Sequence, residues 1–490
     1  MSHVILIYPK TTCDKSAYNI LPLSLLYVAA PLVRDGHHVT ILDQRMEPDW
    51  QTKLKQALER PQTVAVGISS MTGPQVLHGL EMAKVARDTA PQVPIVWGGV
   101  HPSLLPEQTI ESELVDIVVV GEGEIAFSEL VNRLAEGKNW EDVASLCFQK
   151  NGRTVQNALP PRVDLEEIPP LPYEIVNLKQ YRVAPLRSAS LSLPVVTSRG
   201  CAFRCGYCYN TKFHSRSWRA LPPETSLEQI KRLVKTTGIG AIFLLDDNFF
   251  GDRGRAKRIL ELLIESKMGL RIYNANCRVD FLRSSSEEYL KLIRVAGIEQ
   301  IFVGVESGSD RVLSSITKDF KVQHVLEVNH KLRKAGIIPV YSFMVGMPDE
   351  TREDVERTLE LMVRLRDENP QAKMYKMSLF VPMPGTRLYE YCCKNSEADF
   401  PKRLEEWSTY DYDHVNLSYL TEEQKKFLVR ASEISGFIDV KGKTSDLLNL
   451  AVGLYSKIAR LRVKHHWLNW MPEIAIIRFA RSMQRRIIAG

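Results

Sequence analysis

Three cysteines, Cys201, Cys205 and Cys208, stand within one eight-residue stretch that directly follows a strand-like segment. Thiolates are the usual ligands of iron–sulfur clusters, and three of them on a four-iron cube leave one iron without a protein ligand. Such an open position distinguishes a reactive metal centre from a structural one. A zinc site with His214 as fourth ligand is the alternative, although its usual spacing pairs separate cysteine and histidine groups. The crowded spacing therefore favours a [4Fe–4S] cluster, and the polar flanks disfavour three ordinary core cysteines.

Polar residues also follow the later strand-like segments, and barrel enzymes place their chemistry at such strand ends. The adjacent carboxylates of Asp246 and Asp247 suit a cation such as an ammonium group, although acidic residues at this kind of turn also cap helices. The planar guanidinium of Arg278 can pair with a carboxylate, whereas Cys277 beside it is more simply a packed thiol. Glu306 stands among small residues that let a backbone approach a ligand.

Two glycine-rich loops follow neighbouring strands in the first 135 residues. Loops of this kind at adjacent strand ends form a concave site where backbone donors face a polar ligand. A histidine that precedes a proline in such a turn serves either as a ligand or, as we favour for His101, as a structural hydrogen-bonding group. The candidate binding residues around these loops are Ser70, Thr72, Gly98, Gly99, His101, Gly121, Glu122 and Gly123.

The order of strand-like and helical segments along the chain predicts an α/β fold in several parts. Residues 1–150 alternate five buried strands with helices, which indicates a Rossmann-like parallel sheet. Residues 151–190 are rich in proline and are predicted to be a linker. Residues 191–395 hold six βα units, which predicts an open, partial (β/α)6 barrel of the TIM type. Residues 396–490 are predicted to be a C-terminal helical region. The barrel strands are expected at Pro194–Ser198, Ala241–Leu245, Arg271–Ala275, Gln300–Gly304, Ile338–Met344 and Lys373–Phe380.

The CxxxCxxC spacing, with the aromatic Tyr207 before its last cysteine, resembles the signature of the radical S-adenosylmethionine (SAM) superfamily. The resemblance covers residues 194–390. It implies that the amino and carboxylate groups of SAM chelate the open iron, and that one electron cleaves SAM to methionine and a 5′-deoxyadenosyl radical. A flavodoxin or ferredoxin is the expected electron donor. The SAM-binding residues that the resemblance implies are Tyr207, Asp246, Asp247, Arg278, Glu306, Ser307 and Gly346.

The loops at 98–102 and 121–124 resemble the cobalamin-binding domain that is fused to a large radical SAM subfamily. The resemblance implies cobalamin as a further cofactor, held by the glycine-loop residues named above. One motif departs from the pattern, because the loop after Tyr8 contains no histidine to ligate the lower face of the cobalt. Either cobalamin binds without that ligand, or the domain remains as a scaffold without the cofactor.

Charge is distributed unevenly along the 490 residues, whose net charge is +6. Residues 441–490 contain ten Lys and Arg but only two acidic residues, so the rest of the chain is close to neutral and a nucleic-acid groove is not expected. The segment Ile474–Ile487 has an arginine face and an apolar face, which suits either an anionic membrane surface or packing on the barrel. With no leader and no spanning segment, we expect a cytoplasmic enzyme that contacts the membrane through residues 441–490.

The function predicted from these features is radical modification of an unactivated carbon in a hydrophobic small molecule, such as a lipid, a hopanoid, a tetrapyrrole or a natural product. The resemblance leaves open cobalamin-dependent methylation and rearrangement, ring contraction or cyclisation. A tRNA-modifying radical SAM enzyme is an alternative, although Cys13 and Cys147 are isolated where such enzymes carry a further cysteine group. A zinc-dependent binding module is the non-enzymatic alternative.

Overall fold

The structure is a computed structural model that describes residues 2–11, 20–181, 192–395, 400–410, 419–439, 447–469 and 471. The amphipathic segment predicted at Ile474–Ile487 lies outside the described residues, so its helix stays a prediction.

The N-terminal half is a seven-stranded sheet with the strand order β2-β1-β3-β4-β5-β6-β7. Its first five strands are parallel and match the predicted ones, whereas β6 and β7 form an antiparallel hairpin that was not predicted. The hairpin carries the sheet past the predicted boundary at residue 150. The strands are β1 (His3–Tyr8), β2 (His38–Asp43), β3 (Thr63–Ser69), β4 (Ile95–Gly98), β5 (Ile117–Val119), β6 (Leu146–Lys150) and β7 (Arg153–Gln156). The helices are α1 (Leu23–Arg34), α2 (Trp50–Leu58), α3 (Pro74–Thr89), α4 (Val100–Leu104), α5 (Pro106–Ile110) and α6 (Glu124–Ala135).

Helices cover both faces of this sheet, which explains why its central strands are apolar without interruption. In β1, Val4 and Leu6 pack into one core while Ile5 and Ile7 pack into the core on the opposite face. Successive side chains of a strand point to opposite faces, so a strand that is buried on both sides needs an apolar residue at every position. The sheet therefore presents only its edges and the ends of its strands to ligands.

The proline-rich segment between the halves is not a free spacer. It contains three short 3-10 turns, at Leu165–Glu167, Tyr173–Ile175 and Leu178–Gln180. Leu171, Tyr173 and Tyr181 are buried in the core of the C-terminal half. The Tyr181 hydroxyl also donates to the carboxylate of Asp43, at 3.2 Å. The segment thereby ties the two halves together.

The second half is a partial barrel of parallel strands, as predicted, and among the described residues no pairing joins its last strand to its first. The third predicted strand is divided at Tyr273–Asn274. The strands are β8 (Ser192–Val195), β9 (Ser198–Gly200), β10 (Trp218–Ala220), β11 (Ala241–Leu244), β12 (Arg271–Ile272), β13 (Ala275–Cys277), β14 (Gln300–Glu306), β15 (Ile338–Val345), β16 (Lys373–Met374) and β17 (Ser378–Leu379). The helices are α7 (Asn210–Phe213), α8 (Pro223–Thr237), α9 (Arg253–Glu265), α10 (Val279–Ser284), α11 (Glu287–Val295), α12 (Asp310–Ser315), α13 (Val322–Ala335), α14 (Arg352–Glu368) and α15 (Arg387–Asn395).

The described part of the C-terminal region is helical and packs on the barrel. It contains a 3-10 helix at Leu404–Thr409 and the helices α16 (Glu422–Ser435) and α17 (Leu447–Lys464). Leu428 of α16 and Tyr455, Ala459 and Val463 of α17 are buried in the barrel core. None of the helices in the described ranges combines the length and the apolar composition needed to span a membrane.

Candidate active site

The three cysteines lie on a loop that is closed by a two-stranded ribbon. The antiparallel strands β9 and β10 pair across the base of the loop, where Gly200 faces Trp218. Gly200 has a φ of +79°, and a Cβ there would lie 2.2 Å from the carbonyl oxygen of Ser217, so only glycine fits this turn. On its far side, Gly206 donates its N–H to the carbonyl of Ile316 at 2.9 Å. The loop is thus fastened at both ends to the barrel.

The chemistry of these thiols fits an iron–sulfur cluster. All three cysteines are free. Burial raises the pKa of Cys208 to about 12, and the nearby thiol groups of Cys205 and Cys201 oppose its ionisation further. Burial also raises the pKa of Cys201, and Cys205 adds to that shift. Thiols that oppose one another's ionisation become thiolates when a metal supplies positive charge, so the three fit the ligands of a cluster.

The zinc alternative required a fourth ligand from His214. In the described part of the chain, no group of three or more His, Cys, Asp or Glu side chains could hold a single metal ion. His214 instead packs against Gly200, and its Nε2 lies 3.9 Å from Asp247. Burial lowers the pKa of His214, although the charge of Asp247 works in the opposite direction.

The two adjacent carboxylates after β11 have different surroundings. Asp246 is fully buried and accepts hydrogen bonds from the backbone N–H and hydroxyl of Thr197 and from the hydroxyl of Ser198. It therefore anchors the segment before the cysteine loop, and its predicted contact with SAM stays a prediction. Asp247 accepts the N–H of Gly200 at 2.9 Å and is exposed at the cleft described below, so it is the carboxylate of the pair that can meet a ligand.

Arg278 has partners within the protein at each end of its guanidinium. Nε donates to Asp280 at 3.0 Å, and Nη2 donates to the carbonyl of Lys318 at 3.1 Å. Nη1 lies 3.6 Å from the sulfur of Cys205, and the guanidinium stacks on Phe203 with its carbon 3.4 Å from the ring centroid. In the structure the guanidinium fork contacts the cysteine loop, and its predicted pairing with the SAM carboxylate stays a prediction. Cys277 is buried, as predicted for a packed thiol.

Glu306, at the end of β14, belongs to a buried polar group. Its Oε1 accepts the hydroxyl of Tyr207 at 2.9 Å and lies 2.9 Å from the ammonium of Lys318. The side chains of Glu306 and Lys318 are 8% and 6% exposed, so this ion pair is screened from water. Ser307 is fully buried and its hydroxyl bonds to Thr358 and accepts the N–H of Ser309, so it has a structural role here, and its predicted contact with SAM stays a prediction.

Gly346, after β15, is covered by the C-terminal region. It has a φ of +88°, its carbonyl accepts the Tyr419 hydroxyl at 2.7 Å, and a Cβ would lie 3.2 Å from Leu428. Its N–H donates to Glu350, where burial raises the pKa of the carboxyl group to about 7. The buried Oε1 of Glu350 has no hydrogen-bond partner among the described residues.

A cleft of about 350 Å³ lies between the two halves of the protein. Six of the eight predicted cobalamin residues line it: Ser70, Gly98, Gly99, Gly121, Glu122 and Gly123. Ser198, Phe213, His214, Leu245 and Asp247 form the opposite wall, next to the cysteine loop. The ends of the sheet strands and the residues that flank the cysteine loop therefore face a common space, although the three cysteines themselves are not among its lining residues.

The glycine side of the cleft has the shape of a cradle. At Gly99, where φ is +94°, a Cβ would lie 2.8 Å from the carbonyl oxygen of Ser70. At Gly67, deeper in the sheet, a Cβ would lie 2.9 Å from Leu6 and 3.1 Å from Phe127. Backbone donors together with apolar walls suit a large ring system that carries amide groups, so these residues fit cobalamin.

Thr72 and His101 are not among the residues that line the cleft. His101 is fully buried and packs edge-on against Trp407. Its Nδ1 is hydrogen-bonded to the hydroxyl of Thr72, at 3.1 Å. Burial lowers the pKa of His101 to about 3, so the ring is neutral. The predicted cobalamin contacts of these two residues stay predictions, and the buried position of His101 suits the structural role favoured for it.

A group of buried charges joins the halves at the rim of the cleft. Arg199, two residues before the first cysteine, donates to Glu122 at 3.2 Å and to Glu124 at 2.6 Å. Arg219 donates to the same Glu122 at 2.7 Å. Burial would raise the pKa of Glu122, but the hydrogen bond of Arg219 and the charge of Arg199 outweigh it and lower that pKa. Sequence reasoning missed Arg199, Arg219 and Lys318, because no spacing rule links them to acidic residues far along the chain.

Comparisons with known proteins agree with this architecture. Residues 195–362 match the family model described as the radical SAM superfamily, and residues 9–131 match the B12 binding domain. An uncharacterized methyltransferase of Pyrococcus horikoshii is 31% identical over 87% of this chain and 90% of that protein. The anaerobic magnesium-protoporphyrin IX monomethyl ester cyclase of Rubrivivax gelatinosus is 27% identical over 76% of this chain and 66% of that protein.

A solved structure extends the likeness to nearly the whole fold. The radical SAM methyltransferase TsrM of Kitasatospora setae, with cobalamin and a [4Fe–4S] cluster bound, superposes with a TM-score of 0.69. The match covers 99% of this chain and all of that one, at 18% identity.

Proposed function

Because the chain belongs to the radical SAM superfamily, in the subfamily with an N-terminal cobalamin-binding domain, we propose that it methylates a hydrophobic small molecule in the cleft between its halves. The observation that carries this proposal is the common space shared by the glycine loops and the residues that flank the cysteine loop. Methyl transfer to a carbon radical needs the methyl donor and the radical source to meet one substrate. A cleft that both halves line supports that requirement.

The chain's own residues divide the work between holding the cofactors and excluding water. The three cysteines hold the cluster, Tyr207 and Glu306 offer a hydroxyl and a carboxylate to SAM, and Gly99 gives cobalamin a close approach to backbone. When bound, these groups supply a 5′-deoxyadenosyl radical and a methyl group. The buried strand cores on both sides keep water from the reacting carbon.

The walls of the cleft support a hydrophobic substrate. Apolar side chains from both halves line it, among them Leu23, Val28, Phe213 and Leu245. Leu245 is a large apolar residue that is 36% exposed. It lines the cleft, where an exposed apolar side chain can contact a hydrophobic substrate. A tetrapyrrole or a lipid fits such walls better than a nucleotide would, so we rank tRNA modification lower. A flavodoxin or a ferredoxin supplies the electron.

Ring closure without methyl transfer is the second candidate. One relative is a tetrapyrrole cyclase, and the same cleft suits a large flat substrate. The two candidates differ in what happens to the sulfonium methyl group of SAM, since only methylation consumes it.

We also propose that α17 brings the enzyme to an anionic membrane surface. Leu454, Ile458, Leu461 and Trp467 are 55%, 46%, 53% and 63% exposed, and Leu454, Ile458 and Leu461 follow helical spacing. Exposed lysines at 457 and 464 flank these side chains, and residues 447–471 contain no Asp or Glu. An apolar helix face bordered by cations suits anionic lipid rather than another basic segment of the chain. Leu454→Ser/Leu461→Ser should reduce sedimentation with phosphatidylglycerol vesicles, whereas binding that persists would contradict the proposal.

The test of function begins with anaerobic purification and analysis of iron, sulfide and cobalamin. The loaded enzyme is then incubated with SAM, a reductant and candidate lipids or tetrapyrroles. S-adenosylhomocysteine beside 5′-deoxyadenosine supports methylation, and 5′-deoxyadenosine alone supports cyclisation or rearrangement. Cys205→Ala should abolish cleavage of SAM, whereas Cys393→Ala, which changes an exposed thiol of α15, should retain iron and cleavage. An iron-loaded wild type that never cleaves SAM would refute the assignment.

A further inference from the structure

Lys318 is a buried cation to which neither the motifs nor the comparisons give a role. It is 5% exposed, and its ammonium lies 2.9 Å from Oε1 of Glu306 and 3.1 Å from the carbonyl oxygen of Gly304. The ammonium also lies 5.6 Å from the centroid of the Tyr207 ring. Tyr207 and Lys318 thus both approach the same oxygen of Glu306, and neither uses Oε2. A buried charge is retained only when such partners compensate it.

The backbone around this ion pair is strained at three positions. Glu306, Thr317 and Asp319 have φ values of 73°, 61° and 58°, in the left-handed region that favours glycine. For a β-branched residue such as Thr317 this conformation is an outlier. Residues in this conformation persist only where the surroundings determine it, typically at ligand sites. The strained backbone therefore indicates that its surroundings hold the segment at 317–319 in place, as is typical beside a ligand site.

The same segment touches the cysteine loop. The carbonyl of Ile316 accepts the N–H of Gly206, the residue that follows Cys205. The carbonyl of Lys318 accepts Nη2 of Arg278, whose Nη1 lies 3.6 Å from the sulfur of Cys205. Lys318 therefore links the carboxylate at the end of β14 to the loop that would carry the cluster.

We propose that Lys318 is a positioning residue for SAM, which compensates the charge of Glu306 and holds its carboxylate against the Tyr207 hydroxyl. Glu306 then presents Oε2 to the hydroxyl or ammonium groups of SAM. This inference rests on the proposed radical SAM function, and it adds a residue that acts through Glu306 rather than on the reacting atoms. Without Lys318, a carboxylate that is 8% exposed loses its counter-charge and turns away.

A double-mutant cycle on the reconstituted, anaerobic holoenzyme tests this role. Equilibrium dialysis gives the Kd for SAM of the wild type, Lys318→Met, Glu306→Gln and the double variant, and iron is counted in each. Lys318→Met should weaken SAM binding by about tenfold to a hundredfold, the size expected when a hydrogen bond to a charged group is lost. In the Glu306→Gln background, the same change should have an effect of less than about threefold, because no charge remains to compensate.

Two outcomes would overturn the proposal: an unchanged Kd in Lys318→Met, or an equal loss with and without the Glu306 carboxylate. If Lys318→Met fails to retain iron, Lys318→Arg decides, because a merely structural role would depend on side-chain shape. This variant keeps the charge, so it should hold iron and bind SAM within about threefold of the wild type. A tenfold weaker Kd in iron-loaded Lys318→Arg would refute the idea. A loaded wild type that fails to bind SAM would instead refute the proposed function.

Discussion

The glycine loops of the sheet half and the polar group around Glu306 in the barrel half are built in opposite ways. On the sheet side, the left-handed turns at Gly99 and Gly121 belong to glycines, and a ligand can approach the backbone because no side chain stands in the way. On the barrel side, Glu306, Thr317 and Asp319 are left-handed residues that carry side chains, and Glu306 is held in a buried ion pair with Lys318. The sheet side can therefore accept a large cofactor by backbone contact, while the barrel side holds charged groups at fixed positions.

This contrast predicts how each side should respond to substitution. A glycine cradle fails when an atom is added, because the new Cβ meets backbone that cannot move. A network of buried charges fails when a group is removed, because its partners stay buried without compensation. The variants Arg199→Met, Gly99→Ala and His101→Gln test this contrast, in decreasing order of the change expected.

Removal of Arg199 should have the largest effect on stability. The side chains of Arg199, Glu122 and Glu124 are 13%, 7% and 5% exposed, so Arg199→Met leaves the buried Glu124 without its arginine and leaves Glu122 with Arg219 alone. We expect a loss of about 3–5 kcal/mol in the free energy of unfolding, measured by urea denaturation. Arg133→Met, which breaks more exposed pairs with Glu129 and Asp142, should change the free energy of unfolding far less, because water screens these pairs. Equal losses in the two variants would contradict the role given to the junction.

Addition of one methyl group at Gly99 should impair cobalamin binding selectively. Gly99→Ala combines a φ of +94° with a contact of 2.8 Å to Ser70, and we expect it to cost about 1–3 kcal/mol of stability and most of the cobalamin affinity. Gly36→Ala is the matched control, because Gly36 has a φ of +85° but nothing within 4 Å. It should lose stability yet titrate with hydroxocobalamin like the wild type. Unchanged cobalamin binding in Gly99→Ala would show that the cradle is not the binding surface.

Acid should destabilise the sheet side through His101, with a smaller effect. Its pKa is lowered to about 3 in the folded protein, whereas the unfolded chain binds a proton near the ordinary value of 6.5. Stability is therefore fully present above pH 6.5 and is lost as the pH falls, by about 1.4 kcal/mol at pH 5.5. His101→Gln should lack this loss, measured as the change in unfolding free energy between pH 7.5 and 5.5.

The difference between the pH profiles of the wild type and His101→Gln gives the contribution of His101, because the other titrating groups are present in both proteins. His3, whose pKa burial lowers to about 4, contributes with the same sign in both proteins. Glu350, whose pKa burial raises to about 7, contributes with the opposite sign in both. Parallel pH profiles for the wild type and His101→Gln would contradict the neutral, buried state of His101.

The sequence predicted the elements whose burial leaves a periodic trace. The five parallel strands and the barrel strands are apolar runs, and each lies within a few residues of its predicted place. The hairpin of β6 and β7 was missed because most of β7 is exposed and carries no apolar run. The third barrel strand is divided, but Tyr273 still donates to the carbonyl of Ile242, so the local pattern is that of one strand.

The site was predictable only where residue type and local spacing carry the information. The cysteines and glycine loops are local motifs. The glycine loops line one cleft, and residues that flank the cysteines form its opposite wall. The partners of Arg278, Asp246 and Ser307 are set by tertiary packing, so a polar residue at a strand end gave no sign of being already hydrogen-bonded. For the same reason, Lys318 could not be paired with Glu306 from the sequence.

The position of Arg199 limits how such enzymes can be recombined. It stands two residues before Cys201, yet its acidic partners belong to the other half, Glu122 to the loop after β5 and Glu124 to the start of α6. A chimaera that took its sheet from one relative and its barrel from another would need to inherit all three residues together. Exchange of either half alone would leave buried charges without partners at the junction of the halves. We therefore expect the two halves to have diversified together.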